Sequence, residues 1–224
     1  MLTARKTARY VRSMGSAVRT RDESKRETRE ALLAAGIAEF SEHGLDTPSL
    51  DGICARAGFT RGAFYVHFKD RDDFTVAVME RVLGAFFDAV IATGNAATDL
   101  RHTVQRFAAA LAGVASPTQR NGPSLPFRGM VQFHRLLEAC ARSGALRQRH
   151  VQLVEEAIAR VAQAISAGQR AGTVRSDVDP RQVATVLAAI ASGALAMLES
   201  GVTVDTAAAS ATVLTLLGCR PVVR

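Results

Sequence analysis

Apolar residues recur along this chain of 224 residues at spacings of three and four, and no segment alternates convincingly with period two. That pattern predicts helices throughout and no strand. The first helix opens at Ser24-Lys25-Arg26-Glu27, a capping-box sequence, carries Leu33, Ile37 and Phe40 on one face, and stops at His43-Gly44. Ser49 can cap a second, short helix that Gly58 ends, and Thr60 can cap a third. Asp70-Arg71-Asp72-Asp73 puts one carboxylate at the cap and two in the first turn of a fourth helix, where the helix dipole favours them. Its stripe of Phe74, Val78, Val82, Phe86 and Val90 reaches about residue 92. At ~1.5 Å per residue that is a connecting rod of about 30 Å.

Further helices are expected near 98–114, 127–143 and 145–171, the last ended by Gly172. Residues 115–126, with three prolines and Gly122, read as a loop. Asp179-Pro180 is a cap followed by proline at the first helical position, and starts a nearly all-apolar helix to about residue 200. Asp205 opens a final helix ending near 217. The result is an all-α chain of about nine helices. Its expected division is a basic, disordered tail at 1–23, a three-helix unit at 24–70, a larger helical domain at 71–218 and a short tail at 219–224.

Two short helices joined by a tight glycine-containing corner, here around Gly58-Phe59, form a helix-turn-helix. In that motif the second helix enters the major groove. Reading duplex DNA is therefore the expected function, carried by the stretch Thr60-Arg61-Gly62-Ala63-Phe64-Tyr65-Val66-His67-Phe68.

Charge changes this picture in one respect. The net charge is +7, but residues 1–21 hold six basic residues and no acidic one. Residues 22–71 hold seven basic and nine acidic residues, so the expected reader is net acidic. Attraction to phosphates must come from placed groups, with the basic tail either a solvated extension or an arm along the DNA backbone. The three cysteines, Cys54, Cys140 and Cys219, are far apart and lack CxxC spacing, which argues against a disulfide framework or zinc site and suits a reducing cytosol. Burial is the expected state of Cys54. The basic N-terminus lacks the apolar core of a signal peptide, and the charge-free run 183–198 is short for a membrane span. A cytoplasmic location follows as an expectation. No P-loop, HExxH or nucleophile motif occurs, so catalysis is set aside, and no cofactor or metal is implied.

Four features of the first third resemble the tetracycline-repressor-like (TetR) family of bacterial regulators: the first helix ending in Phe40-Ser41-Glu42-His43-Gly44, the second opening with Ser49-Leu50-Asp51-Gly52-Ile53, the Gly58–Phe68 run, and Arg71-Asp72-Asp73-Phe74. In the C-terminal part only Gly172-Thr173-Val174-Arg175 before Asp177-Val178-Asp179-Pro180 is similar to relatives. The resemblance implies a ligand-responsive regulator, a repressor by family expectation, that binds a palindromic operator as a homodimer. Its implied DNA contacts are Ser49, Thr60, Arg61, Gly62, Ala63, Tyr65, His67, Lys69 and Arg71. Thr60 would meet a phosphate or its own helix amides, Arg61, Gly62 and Ala63 would face base edges, and Tyr65 would touch phosphate. Lys69 and Arg71 would neutralise another phosphate, and His67 would add a weaker contact. Arg61 is the one groove-facing residue with a long donor side chain, suited to guanine. Phe64 and Phe68 should point inward.

The resemblance also implies a small-molecule effector held in the second domain. The candidate lining is Phe87, Phe107, Met130, Phe133, His134 and Leu137, with His134 as polar handle; plain core packing explains the same residues. The two terminal helices are too apolar to stand exposed, and Ala189, Ser192, Gly193 and Ala196 would let them approach a second copy. Packing against the helix at 145–171 competes for that surface. The alternative function is a helical interaction or ligand-binding protein that has lost sequence-specific DNA reading.

Overall fold

The computed structural model describes residues 20–45, 47–91, 100–115 and 133–219. Among them every regular element is a helix: α1 (Arg21–His43), α2 (Leu50–Ala57), α3 (Arg61–Tyr65), α4 (Arg71–Val90), α5 (Leu100–Ala115), α6 (Phe133–Arg142), α7 (Gly144–Arg170), α8 (Pro180–Glu199) and α9 (Thr206–Leu216). Met130, residues 1–19 and the expected loop at 115–126, save Ala115, which ends α5, lie outside the described residues.

Most boundaries follow local chemistry. Ser49, Thr60, Asp70, Asp179 and Asp205 each cap a helix by accepting a backbone N–H from three residues on. Gly58 ends α2 in the left-handed region, φ 76° and ψ 25°, which a side chain would disfavour. The start of α1 differs from expectation. Thr20 and Glu23 form the capping box, one turn before Ser24-Glu27. Two such sequences lie in tandem, and the upstream one prevails by adding a turn in which Ser24 N–H bonds the Thr20 carbonyl. The ordered unit therefore begins ahead of residue 24. Likewise Gly144 is not a spacer between helices. Ser143 caps α7 directly, so α6 and α7 meet almost without a loop.

The reader unit is built around rings. Phe64, Phe68 and Phe74 pack with centroids 4.9–5.2 Å apart, and Phe40 closes on Phe74 at 6.1 Å. Phe74 reaches α1 because residue 36 is glycine: a Cβ there would fall 2.7 Å from Phe74 Cε1 and 3.2 Å from Val78 Cγ2. Arg56 joins α2 to α1 through Glu39 and Glu42, and Arg81 joins α4 to α1 through Glu30. Part of the unit's excess of carboxylates is thus consumed internally.

This core does not stop at the unit's edge. Leu136, Ala139 and Cys140 of α6, and Leu146 and Leu153 of α7, belong to the same buried cluster as Phe40 and Phe74. A second cluster joins Leu100, Ile158, Ile165, Ala184 and Leu217 from α5, α7 and α8 and the end of α9. Of α8 only Ala184 is fully buried. One flank of this helix lies on α7, while Val186, Ile190 and Met197 remain exposed. By length and composition α8 could cross a membrane, which the sixteen-residue run did not suggest, but a single such helix is weak evidence.

Candidate nucleic-acid interface and effector cavity

The corner between α2 and α3 is held by backbone. Phe59 N–H bonds the Cys54 carbonyl at 2.9 Å, and Gly58 N–H bonds Ala55 at 3.1 Å. Cys54 is buried, and burial pushes its thiol pKa up, as expected of a packing residue. With Phe64 and Phe68 drawn inward, helical spacing leaves Arg61, Gly62, Tyr65 and Val66 outside. Tyr65 is 56% exposed, its ring set edge-on against Phe64 at 5.4 Å. Only five residues are helical, fewer than the two turns expected, because Phe68 turns in before Asp70 starts α4.

The fold itself does not need a glycine at 62. A Cβ would meet only Thr60 Oγ1, at 3.6 Å, an ordinary contact. Gly52 does have a structural reason, since a Cβ there would crowd the capping Ser49 Oγ at 3.3 Å. Ser49 and Thr60 use their oxygens on Gly52 and Ala63 amides. Ala63 is half-buried, a less open groove residue than the sequence implied. Arg61 stands out but is engaged: its Nε lies 2.6 Å from Asp51 Oδ1. An exposed pair of this kind contributes only about 0–1 kcal/mol, so exchange for another acceptor costs little.

Lys69 remains exposed beside the start of α4, its N–H bonded to Asp73. Arg71 corrects the sequence reading. Its guanidinium donates to the carbonyls of Pro48 (2.7 Å) and Leu45 (3.0 Å), clamping the α1–α2 connection onto α4 rather than standing out towards a phosphate. The basic groups that sequence reading missed sit on α1. Lys25 and Arg29, one turn apart, lie close enough to His67 to lower its pKa, after the larger effect of burial. Arg29 also stacks over Phe68 at 5.2 Å. Their i, i+4 spacing was visible, but the approach of α1 to the α3–α4 corner was not.

In the second domain a cavity of about 250 Å³ runs between α4, α5, α6, α7, α8 and α9. Phe87, Phe107 and Phe133 line it as expected. His134 and Leu137 do not. His134 is exposed, with Nδ1 3.0 Å from Glu199 Oε2, and Leu137 faces outward. Glu199 also accepts the Phe133 N–H and, at 3.1 Å, the His134 N–H, so the end of α8 caps the start of α6. The histidine in the wall is His150 of α7, following Leu146 and preceding Val154 at helical spacing. That placement on an apolar stripe was the available signal. From α6, Arg135 reaches Gly44 at the end of α1, and Ser143 Oγ donates to Asp72 of α4 at 3.1 Å. α6, which gives Phe133 and Leu136 to the cavity wall, therefore touches the end of α1, and the α6–α7 junction touches the first turn of α4.

A family model for bacterial regulatory proteins of the tetR family matches residues 32–78, and one for the tetracyclin repressor-like C-terminal domain matches residues 131–212. The transcriptional regulator AcrR of Shigella flexneri is 43% identical over 54 residues, which is 24% of this chain and 25% of AcrR. The transcriptional repressor BepR of Brucella suis is 44% identical over 55 residues, 25% of this chain and 26% of BepR. The matches thus span about a quarter of these curated relatives. Two solved structures extend the likeness over most of the chain. The reduced form of Escherichia coli NemR superposes with a TM-score of 0.69 at 24% identity, covering 88% of this chain and 99% of NemR. The SmeT–triclosan complex gives 0.64 at 27% identity, covering 85% and 89%. With both halves matched in order and the helical fold shared, the chain belongs to the TetR family of bacterial regulatory proteins.

Proposed function

We propose that this protein is a ligand-responsive transcriptional repressor of the cytosol, which binds a palindromic operator as a homodimer and leaves it when a small molecule fills the second domain. The observation that carries the reading is the outer face of α3. It presents Arg61 and Tyr65 around a glycine that the fold does not require, as a surface meant for close backbone approach would. Lys69, Lys25 and Arg29 supply positive charge beside it.

One five-residue helix covers too few base pairs to select a site, so a two-fold partner is needed. The exposed flank of α8 suits that role. Ala189, Ser192, Gly193 and Ala196 are all exposed there, small enough for helices to approach closely, with apolar Val186 and Ile190 beside them. Release by a small molecule is supported by the mostly apolar cavity and by α6, which shares its wall and reaches the end of α1 through Arg135. SmeT, described as the repressor of a multidrug efflux pump, has been crystallised with triclosan, and BepR is a repressor.

Footprinting on the DNA flanking the protein's own gene tests the reading. A two-fold symmetric footprint, with an affinity that falls steeply with salt at a log–log slope of about −0.9 per phosphate contact, is expected. Weak binding that protects no defined site would favour a helical protein without sequence reading.

A further inference from the structure

The cavity's chemistry narrows the effector. Among its described lining residues none carries a formal charge. Phe86, Phe87, Phe107 and Phe133 lie in its wall, with Phe86 edge-on to Phe107 at 6.1 Å and tilted on Phe87 at 5.6 Å. Such a wall offers both faces and edges of rings, the arrangement in which a further aromatic ring packs well. An ion entering it would lose its hydration without meeting a counter-charge, at an effective cost of several kcal/mol. Size sets a second limit. An apolar cavity of ~150 Å³ takes a benzene, so 250 Å³ suits one to two rings.

The polar groups of the wall are the hydroxyls of Thr103, Ser192, Thr206 and Ser210 and the imidazole of His150. Its Nδ1 is sealed from solvent and has no hydrogen-bond partner. A buried nitrogen without a partner is tolerated better as an acceptor than as an N–H, which assigns the proton to Nε2. Burial also lowers the imidazole's pKa, so the ring stays neutral near pH 7. The side chain is then a neutral imidazole in a mostly apolar wall.

We infer that the effector is an uncharged aromatic molecule of one or two rings bearing an oxygen acceptor, a phenol-like hydroxyl or a carbonyl, which His150 anchors. This rests on the reading of the second domain as an effector site and specifies its ligand class. Permanently charged drugs and free carboxylates find no counter-charge among the described lining residues. Phe86, Phe87 and Phe107 select the ring; His150 selects the oxygen.

Four probes of one size separate these requirements: naphthalene, 1-naphthol, 1-naphthoate and 1-naphthylmethylammonium, each titrated by its own fluorescence into the full chain without DNA. Naphthol should bind at least tenfold tighter than either ion. It should exceed naphthalene by roughly threefold to tenfold, the scale of one net hydrogen bond. In His150→Leu that advantage over naphthalene should vanish while naphthalene binding persists, which also reports an intact cavity. If this variant does not fold, His150→Gln and the charge series on the unaltered chain decide the matter. The inference is overturned if either ion binds as tightly as naphthol, if none of the four binds, or if the preference for naphthol survives loss of the imidazole. Because no DNA is present, failure here leaves the operator footprint as a separate test of the repressor reading.

Discussion

Substituting Gly36 should damage the reader unit although alanine is the better helix former. Two effects oppose each other. In a helix interior Gly→Ala gains about 1 kcal/mol of intrinsic stability. Here the new Cβ would lie 2.7 Å from Phe74 Cε1 and 3.2 Å from Val78 Cγ2, well inside normal contact. Phe74 is 0% exposed and sits among Phe40, Phe64 and Phe68, so it has no vacant rotamer to retreat into. Overpacking of this kind costs about 1–3 kcal/mol. A contact of 2.7 Å belongs in the upper half of that range, so the clash should win, leaving Gly36→Ala less stable by roughly 1–2 kcal/mol, or a fall in Tm of about 2–8 °C for a chain of this length. Urea denaturation followed by circular dichroism measures it. Pairing the change with Phe74→Leu should recover part of the loss, with a coupling of at least ~0.5 kcal/mol in the double-mutant cycle. A Gly36→Ala protein as stable as the parent, or more so, would sink the close-approach argument.

Gly62→Ala provides the contrast, because its Cβ meets only Thr60 Oγ1 at 3.6 Å. Its denaturation midpoint should hold or rise while operator affinity falls in a gel-shift titration; unchanged affinity would show that the groove face ignores this position. Arg61→Ala should relax preference at one base pair per half-site by ~1–3 kcal/mol in binding selections, and an intact preference would remove Arg61 from base readout. Gly193→Leu, where a side chain meets nothing within 4 Å of its Cβ in one copy, should leave the monomer folded and break the dimer. Sedimentation as an intact dimer would place the interface elsewhere. His67 and His150 both have folded pKa values lowered chiefly by burial, with Lys25 and Arg29 adding to the effect at His67. The unfolded chain therefore binds those protons first, so their stabilisation is full above about pH 6.5 and declines as pH falls below it. Replacing both should flatten the drop in urea midpoint between about pH 7 and 5.5; an equally steep drop would contradict the assignment.

What could be read from the sequence was what depends on near neighbours. Ser49, Gly58, Thr60, Asp70 and the Asp179-Pro180 pair mark their helix ends because capping is settled within three or four residues. The inward turn of Phe64 and Phe68, implied by the family resemblance, is also what the structure has. The start of α1 was misplaced because two capping boxes overlap in tandem, and only the added turn decides between them. Arg71 was misread because its acceptors lie 23 and 26 residues back in sequence. Choosing His134 over His150 failed for a similar reason. Which face of α6 looks inward is tied to Glu199, 65 residues away, and no local pattern reports it.

The Arg71 clamp gives α4 a mechanical character. Its first turn is fastened to the α1–α2 connection, and Phe74 locks the next turn into the ring cluster, while Phe86, Phe87 and Val90 at the other end form cavity wall. One helix is therefore shared between two cores, and its length fixes the gearing between them. Over a helix of about 30 Å, a tilt of roughly 5° at the cavity end carries the reader about 2.5 Å. In the proposed dimer, two-fold symmetry would double this to about 5 Å between the paired readers, against a spacing of ~34 Å between successive major grooves. A ligand that wedges the rings apart by little more than an atomic radius would be enough to put the two reading heads out of phase with the DNA.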